Sequence, residues 1–524
     1  MTCTVLKLKI IKEQSRPLWR SENPNLRVDS TVTIDGASNG KAADSGRRRK
    51  VPLRTKLLFA VGALQEASVS AGGLCTVIYY NQVLGVAPGM VGLAFLIASV
   101  CDAVSDPLVG FVSDRLNSRW GRRHPFMILS ALPIAICFFM LYQPMQDLGE
   151  TGYFIWLTVF LVLMRLSQTF YLIPHDALGA ELTDDTLERT SVFGYNSVAV
   201  MLTTMVLAAA TYYFVFPSTP EYAVGFLNEP QYFILASVGA ITITFSVLLC
   251  AFGTIDQIPH LHPVDVTKKF LMSGYFKELG ALLKNTSYLS ACISLLIIYS
   301  GLGIIAIVAN YAYLYVYEFA TEDLFWIGAT KIPGVFIAMP LLGFLAVRFE
   351  KKTILMTVTL ILATGCGLPH FLRLLDLLPA NDSPYLIYWV VVPMFLGYLI
   401  FPVQHILIDS QLVDIADDHE LKVGNRSEGV VFSIRSFGIK ATQGIGGLFA
   451  GFGLEFINFP QNAEAGNLSE ETINGLLMMN GPLYFMLYLI AIYAISHYQL
   501  DKKRHAEILV ELEKRRESAA NGAA

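Results

Sequence analysis

Two aspartates four residues apart interrupt an otherwise apolar stretch. The segment "CDAVSDPLVGFVSDRLNSRWGRRHP", residues 101–125, carries Asp102 and Asp106 and ends in a cluster of arginines. On a helix, positions i and i+4 share a face, so the two carboxylates point the same way. At 1.5 Å of rise per residue, Asp102 stands about 18 Å from Asp114, where the apolar run ends, and so near mid-bilayer. A carboxylate at that depth costs about 2.5–3.5 kcal/mol on insertion scales. Two that face together repel unless they share a proton or a cation. Oxygen ligands suit a hard cation such as Na⁺, and Thr169 and Ser105 could each add a hydroxyl. The competing reading is a pair held by salt bridges to a neighbouring helix for structure alone. Lys440, inside "VFSIRSFGIKATQGIGG", is a candidate countercharge; a buried lysine without an acid nearby tends to lose its proton. We therefore expect it across an interface from the aspartates. Asp114 and Arg115 could form a charged latch between helices, or the arginines could simply anchor the topology.

The elements that must position these residues are legible in the composition. The chain has 524 residues, 54% hydrophobic and 15% charged, whereas a soluble domain carries about 25% charge. Twelve apolar runs are each long enough to cross a bilayer: 56–82, 88–112, 125–145, 152–173, 192–216, 231–254, 287–317, 324–347, 352–374, 384–409, 428–456 and 473–499. This predicts an all-α membrane protein with twelve transmembrane helices. Lys and Arg crowd alternate connections and both ends, Arg373 excepted, which places both termini in the cytosol. The expected parts are a disordered cytosolic tail over 1–50, a six-helix half over 51–254 and a linker over 255–286. A second six-helix half over 287–500 and a C-terminal cytosolic tail over 501–524 complete the chain. Within the linker, 266–284 reads as an interfacial amphipathic helix. "PLVGFVSDR" from Pro107 and "PLLGFLAVR" from Pro340 fall at the same place in the two halves, which argues for an internal duplication. The cysteines have no metal-ligand spacing and read as small buried hydrophobes.

Three blocks resemble the glycoside–pentoside–hexuronide:cation symporter family, melibiose permease-like carriers within the major facilitator superfamily. They are "CDAVSDPLVGFVSDRLNSRWGRRHPF", "QTFYLIPHDALGAELTDDTLER" and "DIADDHELKVGNRSEGVVFSIRSFGIK". The resemblance implies the major facilitator fold and places Asp102, Asp106 and Thr169 on cation-binding positions, with Ser105 where an asparagine is found. Na⁺ would sit on Asp102, Asp106 and Thr169 if the coupling ion is sodium; H⁺ is the alternative. Lys440 falls on a coupling lysine. Arg189, Asp414, Asp417 and Arg426 match charge networks at the cytosolic side; read on their own, they are exposed loop charges. The family's sugar-binding constellation is missing, since its positions hold Leu172, Ala67 and either Asn196 or Ser197. What the chain offers a solute instead is Glu66, Gln65, Arg165, His175, Asp176 and Asn196. Arg165 could equally pair with Glu66 or Asp176 as plain structure. His405 and Asp409 form a weaker pair on the tenth run.

The expected function is import of a small organic solute, a sugar, glycoside or uronate, driven by Na⁺ or H⁺ through alternating access. A lysolipid or other amphiphile is the alternative cargo, and a non-transporting sensor a distant one. No H-E-x-x-H, P-loop or G-x-S-x-G occurs, so neither an enzyme nor an ATP-driven pump is expected. No cofactor and no nucleic-acid partner is expected. The partners are a solute and the bilayer, the carrier acts as a monomer, and the family bias points to a bacterial inner membrane.

Overall fold

A hydrocarbon solvent leaves the backbone only two closed ways to satisfy its polar groups, and this chain takes the helical one. In a computed structural model, residues 50–522 are described apart from 117, 184, 261–278, 424–427 and 462. The first span comprises α1 (Leu53–Val61) and α2 (Ala63–Ile78). The next five are α3 (Pro88–Arg115), α4 (His124–Leu141), α5 (Gly149–Glu181), α6 (Thr186–Ala210) and α7 (Gln231–Gly253). The second half begins with α8 (Thr286–Tyr311), followed by a broken span of α9 (Asp323–Ala329) and α10 (Ile332–Arg348), then α11 (Lys351–Leu374). It ends with α12 (Leu386–Leu399) running into α13 (Phe401–Val423), α14 (Glu428–Phe456), and a last span of α15 (Glu470–Met478) and α16 (Tyr484–Ser496). The interfacial helix expected over 266–284 and the N-terminal tail lie largely outside the described residues.

Among the described residues, ten helices are long and apolar enough to cross a membrane, and the eighth span makes an eleventh when its two pieces are joined. That span bends by 58° between Asp323–Ala338 and Pro340–Arg348. A proline ring displaces the carbonyl four residues back, which accounts for the kink. Pro107 holds the matching place in α3, which nevertheless stays one helix. The remaining crossing, α14, has its apolarity diluted by Arg435, Lys440 and several glycines. Five-residue π-helical turns recur at Tyr79–Val83 and Ala312–Val316, at the ends of the first spans of the two halves. Two more, at Thr211–Val215 and Met479–Leu483, fall in spans that do not correspond between the halves.

An even number of crossings brings both chain ends to one face, here called the terminal face. At the opposite, distal face the two halves are closed onto each other. Gln82 Nε2 donates to Pro460 O at 3.2 Å while its Oε1 accepts from the Ala463 N–H at 2.8 Å. Tyr311 donates to Asn81 Oδ1 at 2.9 Å. The Gly225 N–H donates to Thr321 Oγ1 at 2.9 Å, and the Ser218 N–H to Glu322 Oε1 at 2.9 Å. Between α3 and α14 the backbones touch: a Cβ on Gly92 would lie 2.5 Å from Gly447 O. At the terminal face, by contrast, each described ion pair joins residues of one half, as in Lys56–Glu188 at 2.7 Å and Lys351–Asp414 at 2.7 Å.

The last segment, expected as a C-terminal tail, is a helix, α17 (Lys502–Gly522), docked on the terminal face of the second half. Its Ile508 and Leu512 are buried, His505 Nε2 lies 3.0 Å from Asp417 Oδ2, and Arg515 donates to Leu421 O at 2.7 Å. The partner surface is an unforeseen extension. The tenth run ends at Asp409 by hydropathy, yet helix α13 continues to Val423, with Leu412, Ile415, Ala416 and Leu421 buried along it. Burying an isoleucine side chain is worth about 1.5–3 kcal/mol. Replacing Ile508 with aspartate should therefore undock α17 and speed tryptic cleavage at Lys502–Arg504 at least about tenfold, with little change in melting of the membrane core; quantitative proteolysis measures it.

Candidate cation and solute site

The central charges are set by two helices that match each other's spacing. On α3, Asp102 and Asp106 face α5, where Arg165 and Thr169 are also four residues apart. Because the two helices are the second and fourth spans they run parallel, and the residues pair in register. Arg165 Nη1 stands 3.7 Å from Asp102 Oδ2, and the Thr169 hydroxyl donates to Asp106 Oδ1 at 3.0 Å. Lys440 arrives from α14, in the other half, and its Nζ pairs with Asp106 Oδ2. The Ser105 hydroxyl donates to the backbone oxygen of Asp102 at 3.3 Å, so it keeps only lone pairs for a ligand.

Two carboxylates and two cations thus make a neutral centre, and the two halves of it differ in exposure. Asp102 is sealed, with 8% of its side chain exposed, while Asp106 and Lys440 are each about one quarter exposed (24% and 25%). Of the two carboxylates, Asp106 is the more accessible to water. Lys440 occupies the place of a cation on a carboxylate that belongs to the other half.

The residues proposed for the solute divide into separate groups. Arg165 belongs to Asp102 rather than to Glu66 or Asp176. Glu66 is exposed and lies within Coulombic reach of Asp176 and His175. Asp176 is 65% exposed, with Oδ1 at 3.3 Å from His175 Nδ1. The His175 ring stacks on Phe59 at 4.0 Å, and its Nε2 lies 3.2 Å from Phe59 O. That residue is packed, while Glu66 and most of Asp176 beside it are exposed. Gly62 makes this approach possible, since a Cβ there would lie 2.1 Å from the Tyr171 hydroxyl. Gln65 is buried with both amide atoms unpaired, and Asn196 Oδ1 is likewise unpaired.

Of the four charges matched to cytosolic networks, the three described ones are not exposed loop charges. Asp414 and Asp417 are buried on α13; Lys351 binds the former and His505 the latter. Arg189 donates to Thr183 O at 3.1 Å, within its own half. Arg426 and the side chains of Asp114 and Arg115 lie outside the described residues. Asp409 pairs with Arg435 at 2.5 Å, and His405 Nδ1 meets the Tyr299 hydroxyl at 2.8 Å.

One cavity reaches this centre at Arg165, and a second adjoins the first. One, of about 190 Å³, is lined by Ser70, Thr76, Arg165 and Thr442. The other, of about 530 Å³, lies between α6, α8, the broken eighth span and α12. Ala306 on α8 lines both. The larger holds Lys331, a residue the sequence reading passed over. The signal was present: a lysine seven residues into the apolar run 324–347 is as conspicuous as Lys440.

A twelve-helix protein of two halves, closed at one face and charged at its interface, is a secondary carrier of the major facilitator class. The chain belongs to the MFS/sugar transport protein family, whose model matches residues 59–502, and within it to the glycoside–pentoside–hexuronide:cation symporters. It is 25% identical over 432 residues to the inner membrane symporter YicJ of Escherichia coli K12, covering 80% of this chain and 86% of that one. To the glucuronide carrier protein homolog of the same organism it is 23% identical over 468 residues, covering 88% and 96%. Among solved structures, the inward open xylose transporter XylE from E. coli superposes with a TM-score of 0.55 at 12% identity, covering 85% and 96%. The chain is an integral membrane transporter, not an enzyme.

Proposed function

We propose that this carrier imports a small organic solute by symport with Na⁺ or H⁺, and that Lys440 acts as a tethered stand-in for the coupling cation. The observation that carries the reading is the Lys440–Asp106 pair, which links the two halves across their interface. With no ion bound, the ammonium neutralises Asp106 and holds the halves together. An arriving Na⁺ or H⁺ takes over that carboxylate, with Thr169 and the sealed Asp102 beside it, and releases the lysine. The halves are then free to rock, and the solute that fits the loaded form gains affinity by the same factor as the ion, since coupling is reciprocal.

The excess of Lys and Arg at the terminal face supports a cytosolic placement of both ends. On that placement the distal closure makes the described state open to the cytosol, the state that releases solute. The relatives, a symporter, a lactose permease and a glucuronide carrier homolog, support a glycoside-like or uronide solute. In reconstituted vesicles, an imposed Na⁺ or H⁺ gradient should concentrate the solute inside, and collapsing the gradient should release it. Accumulation indifferent to both gradients would rule the coupling out.

A further inference from the structure

The 530 Å³ cavity between the halves has the size of a small-molecule seat, and its wall is chemically lopsided. Met201, Met205, Tyr212, Tyr313, Met394 and Phe401 make it apolar and adaptable. Into this wall projects Lys331, from the junction of α9 and α10. It stands eight residues beyond Asp323, just past the end of α9, on the order of 12 Å into the span. An ammonium at the middle of a helix costs about 2.5–3.5 kcal/mol to insert. Among the described residues no carboxylate pairs with it. Its described neighbours are the Tyr398 ring, with Nζ 5.0 Å from the centroid, and the Cys366 thiol. A cation–π contact of about 0.5–2 kcal/mol leaves much of that cost unmet. Lys440, by contrast, has its acid. A cation without a fixed partner, facing a cavity of ligand size, is matched by an anion that comes and goes. In the same lining, Asn310 spends one amide N–H on Ala306 O at 2.7 Å, which leaves its other N–H and its carbonyl oxygen for a hydroxyl.

We propose that this cavity is the solute seat and that it takes an organic monoanion with an apolar body, its carboxylate or phosphate held by Lys331. The inference rests on the carrier reading above and narrows the solute class. It also accounts for the position of the seat. The shared wall at Ala306 puts the bound anion next to the cavity of Arg165 and Thr442, where its charge adds to that of Asp102 and Asp106. Anion and coupling cation then favour each other's binding electrostatically.

The test is equilibrium binding to the full chain in nanodiscs, with no ion gradient, so that it stands apart from any failure of symport. Two matched pairs serve as probes: 4-nitrophenyl β-glucuronide against 4-nitrophenyl β-glucoside, and decanoate against decanol. The expected result is at least tenfold tighter binding of the anion in one pair, which also tells a sugar acid from an alkyl acid. Lys331→Gln should reduce that preference to under threefold, and Lys331→Arg should keep it. Lys331→Met, which removes a charge from the span without adding a polar group, repeats the test should the glutamine variant melt early. Equal binding within both pairs, no binding in either, or an undiminished preference in the glutamine and methionine variants would each overturn the proposal.

Discussion

Exchanging Asp106 for asparagine is expected to abolish gradient-driven accumulation and to lower the stability of the protein in the same step. The two effects share one cause. Lys440 would face a neutral amide in a site where a fully buried lysine stripped of its partner costs about 3–5 kcal/mol. Both side chains keep about a quarter of their surface exposed (24% and 25%), so water screens part of that loss and about 1–2 kcal/mol is the sensible expectation. Accumulation should fall by on the order of a hundredfold, the upper range of coupling between two ligands. Lys440→Met in the same chain removes the stranded charge. The double variant should recover most of the melting temperature and none of the accumulation. Thermal melting and vesicle uptake on the four proteins of this cycle separate the two roles. A double variant no more stable than Asp106→Asn alone would mean that the pair does not hold the halves. Asp102→Asn is the informative contrast: its partner Arg165 comes from the same half, so the loss would weaken the first half without loosening the interface.

The central charges were legible in the sequence for the reason that makes them functional. Ionisable groups are expensive in hydrocarbon, so Asp102, Asp106, Arg165 and Lys440 stand out against their neighbours. Spacing alone placed Asp102 with Asp106 and Arg165 with Thr169. It could not pair the two helices, because register between neighbouring helices is a tertiary property; Arg165 was open to Glu66, Asp176 or a solute, and the structure gives it to Asp102. Hydropathy found the spans but failed where a helix leaves the lipid. Past Asp409 the segment "SQLVDIADDHELKV" turns amphipathic, and its apolar stripe is too narrow to register as a crossing, yet it is what α17 docks on. The same cause hid the burial of Asp414 and Asp417, which sit on that stripe's edge under α17 and not on a loop.

The distal closure predicts a second large effect. At the crossing of α3 and α14 the contact is backbone on backbone: a Cβ on Gly92 would lie 2.5 Å from Gly447 O and 2.9 Å from the Leu448 Cα, and one on Gly451 would lie 2.2 Å from Pro88 O. None of these atoms can rotate away, so a leucine at position 92 has to part the helices. The helices it parts belong to different halves, and each half keeps its own packing. The distal hydrogen bonds of Gln82, Tyr311, Gly225 and Ser218 are worth about 0.5–1.5 kcal/mol each. Together with the lost helix contact they are commensurate with the roughly 5.5 kcal/mol that carries a two-state equilibrium from 99:1 to 1:99. Gly92→Leu is therefore expected to hold the carrier open at the distal face. Ser70 lines the cavity by Arg165, and a cysteine there, with Cys101 replaced by serine, reports which face admits an impermeant maleimide. Labelling from the distal side should rise at least about tenfold, with uptake lost and melting nearly unchanged. Gly303→Leu is the control, since its Cβ would lie 1.8 Å from Thr442 O inside the second half; there the same wedge should cost folding instead of switching the face that is open. Distal labelling that stays at the wild-type level in a well-folded Gly92→Leu protein would mean that the α3–α14 contact does not keep the carrier shut.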